Sequence, residues 1–333
     1  MDFLNALTVI ANYILIPSLA YGSQLALGAL GVTLIFGVLR FSNFAHGDTM
    51  AFGTAFVILF TWLFQSWGIS LGPLPTALLA LPFAIAVTAV LVLGTDKGIY
   101  QFYRRKRAAP IILVIVSTGV MFVMNGLVRL IIGTEDRNFV DGAKFVIDPK
   151  VYKEVTGLAE PLALKTTQAL SVGLAVICVA ALFWFLQKTR TGKSMRAYSD
   201  NEDLALLSGI NPDRVVQVTW IIAAALAVIA GTLFGLDKSF RPFVYFGLLM
   251  PIFAGAVVGG LGSPLGAIVG GYLVAFSEVI FTYNWRLVVK YLAPDSAAAQ
   301  ATLQVLSTEY KVAVSFAILI IVLLFKPTGL FKR

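Results

Sequence analysis

The chain has 333 residues, 59% of them hydrophobic and only 13% charged, with a mean hydropathy of +0.88 and a formal net charge of +8. A soluble protein of this size needs less apolar residue inside and more charge outside, so the composition points to a bilayer as solvent. The positive charge does not indicate nucleic acid, because the basic residues fall in short clusters between apolar runs. Cys178 is the only cysteine and lies within an apolar run, which excludes a disulfide framework and a thiolate metal site.

A spanning helix needs about 20 mostly apolar residues, each adding about 1.5 Å across about 30 Å of hydrocarbon. In chain order the runs that qualify are roughly 13–39, 49–65, 74–94, 110–133, 168–187, 215–236, 247–262, 264–283 and 307–325. The stretch 247–283 is too long for one helix, and GGLGSPLG divides it. The fold class expected is therefore all-α, a polytopic membrane protein of about 8–10 transmembrane helices forming one transmembrane domain over 1–333. No Lys or Arg precedes Arg40 and no small-residue cleavage site follows a short apolar region, so a removable signal peptide is not predicted.

Three basic clusters mark the cytoplasmic side: Lys97 with Arg104, Arg105, Lys106 and Arg107; then Lys188, Arg190, Lys193, Arg196 and Arg214; then Lys326, Lys332 and Arg333. An even number of spans separates each cluster from the next, which places the C-terminus in the cytoplasm. Three spans precede the first cluster and put the N-terminus outside, unless residues 3–16 add a segment before Pro17. The external segments 134–166 and 284–306 mix both charge signs and contain no recognisable catalytic domain.

Between the first two spans, GVLRFSNFAHGDTMAFG (37–53) carries Arg40, Asn43, His46 and Asp48. Polar groups at membrane depth are costly and usually face a cavity or another helix, so Asn43, Phe44, His46 and Asp48 are candidates for a solute path or gate. The alternative is a cytoplasmic turn whose polar groups are solvated. His46 is the only histidine and lacks the partners that metal ligation needs. Further on, Arg129 and Glu278 interrupt apolar runs near their outer ends and are expected to snorkel to the interface or to pair with each other.

Residues 187–203, QKTRTGKSMRAYSDNED, contain GKS, the tail of the phosphate-binding signature G-x-x-x-x-G-K-[ST]. Gln187 stands where the first glycine belongs and no strand precedes it, so no nucleotide is expected to bind here. In SDNEDLALLSGINPDR, Asp200 and Asn201 read as caps of a short helix at Leu204–Leu207, which Gly209 ends before Asn211-Pro212. Its Leu204, Leu207 and Ile210 require cover, from the ends of the chain's own spans or from a soluble partner. The glycines of GAVVGGLGSPLGAIVGG (255–271) fail the dinucleotide pattern, because Leu265 stands at the third position after Gly260 and Gly262. Close helix packing explains them better, with Gly260 and Gly262 placed where a path could hinge or gate. No H-E-x-x-H, G-x-S-x-G or pair of intramembrane aspartates supplies a catalytic set.

The segments LGVTLIFGVLRFSNFAHGD, TGKSMRAYSDNEDLALLSGINPDRV, AVVGGLGSPLGAIVGG and STEYKVAVSFAILIIVLLFKPTGLF run in order nearly end to end. Together they resemble the permease subunit of high-affinity branched-chain amino acid ABC importers, the Liv type. The resemblance implies a type II importer permease in the bacterial cytoplasmic (inner) membrane, paired with a second related permease, two cytoplasmic ATPases and a periplasmic solute-binding protein. ATP and Mg would be bound by the ATPases, and this chain would hold no cofactor. The loop at about 188–214 would dock on an ATPase, which assigns coupling to Gly192, Arg196, Asn201, Leu204, Ala205, Leu207, Gly209 and Ile210. The NFAHG segment would lie at or near the path. The implied solutes are leucine, isoleucine and valine, although relatives of this type also import urea, short amides or aromatic acids. Such a permease supplies no chemistry, only alternating access. From other classes, a passive channel and, disfavoured by the absent catalytic set, an intramembrane enzyme stand as alternatives.

Overall fold

The computed structural model describes residues 1–293 and 302–331. Among them, helices α1 (Asp2–Leu39), α2 (His46–Ser66), α3 (Ala77–Arg105) and α4 (Pro110–Ile132) are followed by a short α5 (Pro149–Thr156) and then by α6 (Thr166–Lys188). Two short helices, α7 (Arg190–Asp200) and α8 (Glu202–Leu207), lead to α9 (Pro212–Lys238), α10 (Val244–Gly259) and α11 (Pro264–Thr282). The short α12 (Arg286–Leu292) precedes α13 (Thr308–Phe325). Eight of these are long and apolar enough to cross a membrane, and α10 is apolar but shorter. They match the nine predicted runs in order.

Residues 3–16 do not make a separate span. They extend α1, whose 38 residues reach about 57 Å at 1.5 Å per residue. A π-turn at Ala11–Leu15 precedes Pro17, whose ring nitrogen cannot donate to the preceding turn. α1 is also the central helix, with 94% of its apolar window buried against 11% for α13. It packs on α6, α9, α10 and α11.

Lipid gives helices no hydrophobic reason to associate, so close approach depends on small residues. On the α10–α11 seam, a Cβ at Gly259 would stand 1.9 Å from the Gly266 oxygen, and one at Gly270 would stand 2.0 Å from the Gly255 oxygen. The glycines are therefore where two backbones touch.

All three basic clusters meet at one end of the bundle. Arg40 donates to the Ser199 carbonyl, Gln101 to Asp213 at 3.4 Å, and the Leu330 and Phe331 amides to Val258 and Gly259 at 2.9 and 3.1 Å. Lys332 and Arg333 lie outside the described residues. At the far end, the side-chain oxygens of Asn5 and Asn12 accept from the Ala159 and Ala163 amides at 3.0 and 3.1 Å, and Tyr291 donates to Glu160 at 2.7 Å. There α5, α12 and a two-stranded antiparallel ribbon, β1 (Phe145–Ile147) with β2 (Leu164–Lys165), give local structure to the segments read from sequence only as external and of mixed charge.

Candidate solute path and coupling face

α1 ends at the basic end, where Arg40 takes a left-handed conformation (φ 58°). Residues 41–45 then climb back beside it, and α2 starts well inside the bundle. Its first residue, His46, faces Gly31, which lies eight residues, about 12 Å, short of the end of α1. A Cβ on Gly47 would meet the Tyr245 oxygen at 2.7 Å, so the first turns of α2 and of the 16-residue α10 are neighbours at this depth.

The segment is packed and not solvated, which removes the wet-turn alternative: Asn43, His46 and Asp48 are all buried. The Asn43 oxygen accepts from the Ala45 amide at 3.2 Å and the Tyr100 hydroxyl at 3.3 Å. The Phe44 amide donates to Ser117 at 3.1 Å, while its ring stacks on Phe253 at 5.3 Å. Asp48 accepts from Asn125 at 2.7 Å. One oxygen of Asp48 and Nε2 of His46 have no hydrogen-bond partner among the described residues. Sequence reasoning missed what ties this turn to the basic end: Tyr100 stacks on Trp220 at 5.3 Å, Trp220 donates to Asp96 at 2.7 Å, and Arg104 grips Asp96 with its two terminal guanidinium nitrogens.

At the far end a cavity of about 430 Å³ opens between α1, α9, α10, α11 and α13, lined among others by Tyr21, Leu248, Pro251, Glu278 and Lys311. The fully buried Glu278 accepts from Ser315 and lies 3.2 Å from the Lys311 ammonium, which in turn sits 3.6 Å over the Tyr21 ring. This corrects the expected pairing of Glu278 with Arg129. Arg129 lies instead with its guanidinium 3.8 Å over the Phe243 ring, because α4 packs on α2 whereas α11 packs on α1, α10 and α13. Tyr21 and Lys311 were not identified from sequence; the only signal was a lysine opening an apolar run.

On the basic face, Thr189 caps α7 by accepting from the Gly192 amide at 3.0 Å, and the Lys193 amide bonds to the Thr189 carbonyl at 3.1 Å. The backbone donors of GKS are thus spent inside a helix. Gly192 allows α7 to touch the end of α6, since a Cβ there would stand 2.1 Å from the Phe185 oxygen. Asp200 ends α7 and caps nothing; Asn201 alone caps α8, accepting from the Leu204 amide at 3.0 Å. Burial and the Glu202 carboxylate, which takes its hydroxyl at 2.6 Å, push the Tyr198 phenol up and fasten α7 to α8. Gly209 follows at φ 78°. Leu204 and Leu207 are 61% and 85% exposed, whereas Ala205 is 3% exposed and faces inward, and Ile210 packs partly against the core. The exposed apolar surface of α8 is therefore Leu204 and Leu207, with Leu206 42% exposed beside them and Ala205 behind.

Arg196 and Gly262 line a cavity of about 570 Å³ at this end. Gly260 and Gly262, at φ 106° and 87°, form the turn between α10 and α11, and Gly260 touches Gly329. The structure does not bring these two glycines together with His46 and Asp48. Gly262 lies instead beside Gly37, six residues beyond Gly31 along α1.

A bundle of eight helices long and apolar enough to cross a membrane, with polar side chains buried among them, is the architecture of a multi-pass membrane protein. The model of the family described as "Branched-chain amino acid transport system / permease component" matches residues 14–323, and the chain belongs to that family. The high-affinity branched-chain amino acid transport system permease protein LivH of Escherichia coli (strain K12) is 31% identical over 317 residues, covering 94% of this chain and 92% of LivH. Its counterpart BraD of Pseudomonas aeruginosa is 28% identical over 326 residues, covering 96% of this chain and 95% of BraD. A solved structure, PsaBC from Streptococcus pneumoniae in complex with Fab, aligns with 98% of this chain and 93% of that one at 15% identity and a TM-score of 0.46.

Proposed function

We propose that this chain is one of two related permease subunits of an ATP-driven importer for leucine, isoleucine and valine. The observation that carries the reading is the end-to-end similarity to permeases of branched-chain amino acid systems, at 31% identity over 94% of the chain. In this reading the basic end faces the cytoplasm, the far end receives solute from a periplasmic binding protein, and two cytoplasmic ATPases hold ATP and Mg. The loop at 188–214 docks on one ATPase through Leu204 and Leu207, held in place by the Asn201 cap and the close approach at Gly192. Arg196 and Gly209 flank that contact.

Closure of the ATPases would move α7 and α8. The Arg40–Ser199 hydrogen bond hands that motion to the end of α1, and so to the packed turn carrying Asn43, Phe44, His46 and Asp48. The burial of Asn43, His46 and Asp48 within the bundle supports a path there, since polar groups at membrane depth usually face a cavity or another helix. Uptake by proteoliposomes holding the whole complex and the binding protein tests the reading. Leucine should accumulate only with internal ATP; ATP-independent equilibration would mean a channel, and uptake of urea or short amides without leucine would mean a different solute.

A further inference from the structure

Lys311 and Glu278 form a pair that close helix packing does not require, at the base of a cavity. Glu278 is completely buried, with one oxygen taken by Ser315 and the other 3.2 Å from the Lys311 ammonium. The Lys311 side chain is 30% exposed and lines the far-end cavity. An ammonium has three donors, and Glu278 with the Tyr21 ring face leaves capacity on the side turned to the cavity. Of the other two cations of the lining, Arg241 is held 2.6 Å from Asp136, whereas Lys238 is 60% exposed to solvent and only 3.6 Å from Asp237; neither is backed by a buried carboxylate as Lys311 is. Phe234, Leu248 and Pro251 supply an apolar wall, and about 430 Å³ falls within the range of about 300–1,000 Å³ usual for small-molecule sites.

We propose that this cavity is a subsite for a solute carboxylate, in which Lys311 receives the carboxylate, Glu278 aims Lys311, and the apolar wall takes the solute's side chain. The assignment rests on the importer reading and narrows it to carboxylate-bearing solutes, against urea or short amides. Glu278 is a positioning residue. A purely structural pair would clamp α11 to α13 equally well with its charges exchanged; a carboxylate receptor would not.

The test uses the whole importer and labelled leucine. A charge-assisted hydrogen bond of the usual strength implies at least about a tenfold fall in uptake for Lys311→Gln, with Lys311→Arg within about threefold of the parent, at equal assembly. The exchange Glu278→Lys with Lys311→Glu should assemble but not recover uptake. In a Cys178→Ala background, Val244→Cys at the cavity wall should be labelled by an impermeant thiol reagent. Excess leucine should slow that labelling, excess urea should not, and Lys311→Gln should abolish the leucine protection. If Lys311→Gln does not assemble, protection with Lys311 intact decides.

Recovery of uptake by the exchanged pair, wild-type uptake by Lys311→Gln, or labelling indifferent to leucine would each overturn the subsite while leaving the importer reading standing. An importer that carries urea or an amide but no amino acid would overturn both.

Discussion

A Cβ on Gly31 would stand 2.6 Å from Cε1 and 2.9 Å from Nε2 of His46, so the ring uses the space that the missing side chain leaves. Gly31→Ala must displace the imidazole from the first turn of α2, and overpacking of this kind costs about 1–3 kcal/mol. The expected outcome is a lower thermal midpoint for the purified complex and reduced leucine uptake. Adding His46→Ala should restore most of the midpoint without restoring uptake, because the clash is gone while the polar group is still missing. Additive loss in the double variant would show that the two residues do not interact. The candidate site was partly legible here. Asn43, His46 and Asp48 stood out as polar groups interrupting apolar runs, but nothing in the residue types showed that 41–45 climb inward and bury all three. Lys311 was illegible for a related reason: its partner Glu278 is 33 positions away, and no periodicity reports a contact between two helices separated by a loop.

At the scale of elements, the seam between α10 and α11 has no side chain that can yield. Gly259→Ala and Gly270→Ala would bring a methyl to about 2 Å from backbone oxygens, so the helices must part. Gly94→Ala on α3 meets nothing within 4 Å and serves as the control. Detergent-purified complexes should lose thermal stability markedly in the first two variants and not in the third; equal midpoints would show that the seam opens without cost. The spans themselves were legible because about 20 apolar residues leave little choice in a bilayer. Which glycines serve packing and which serve turns was not, since both kinds occur in one run: Gly255 and Gly259 touch a helix, whereas Gly260 and Gly262 supply positive φ. The helix at α8 shows the same limit. Its cap at Asn201 was readable, but the inward direction of Ala205 was not. Leu207→Glu should therefore abolish ATPase co-purification while the chain still inserts and pairs, because a charge would face an apolar contact. Ala205→Glu should lower the stability of the chain itself. Retained ATPase binding by Leu207→Glu would remove α8 from the docking surface.

For the whole molecule, sidedness follows from how charge and helix ends sort. Arg104–Arg107, Arg190–Arg214 and Lys326 share one end, and Arg40 joins them there. The far end carries both signs, including Lys150, Glu154 and Glu160. Basic residues near span ends are retained on the cytoplasmic side, so the end with the α7–α8 pair should be the one that ATPases can reach. That assignment is tested with single cysteines in a Cys178→Ala background. Arg105→Cys and Lys326→Cys should react with an impermeant thiol reagent only in inside-out vesicles, and Lys150→Cys only in intact cells whose outer membrane has been opened. The three positions are exposed, so a failure to react cannot be put down to burial. Reaction of positions 150 and 326 from the same side would break the parity of the spans and would put the coupling face and the Lys311 cavity on the same side of the membrane, where neither docking nor uptake could work as described.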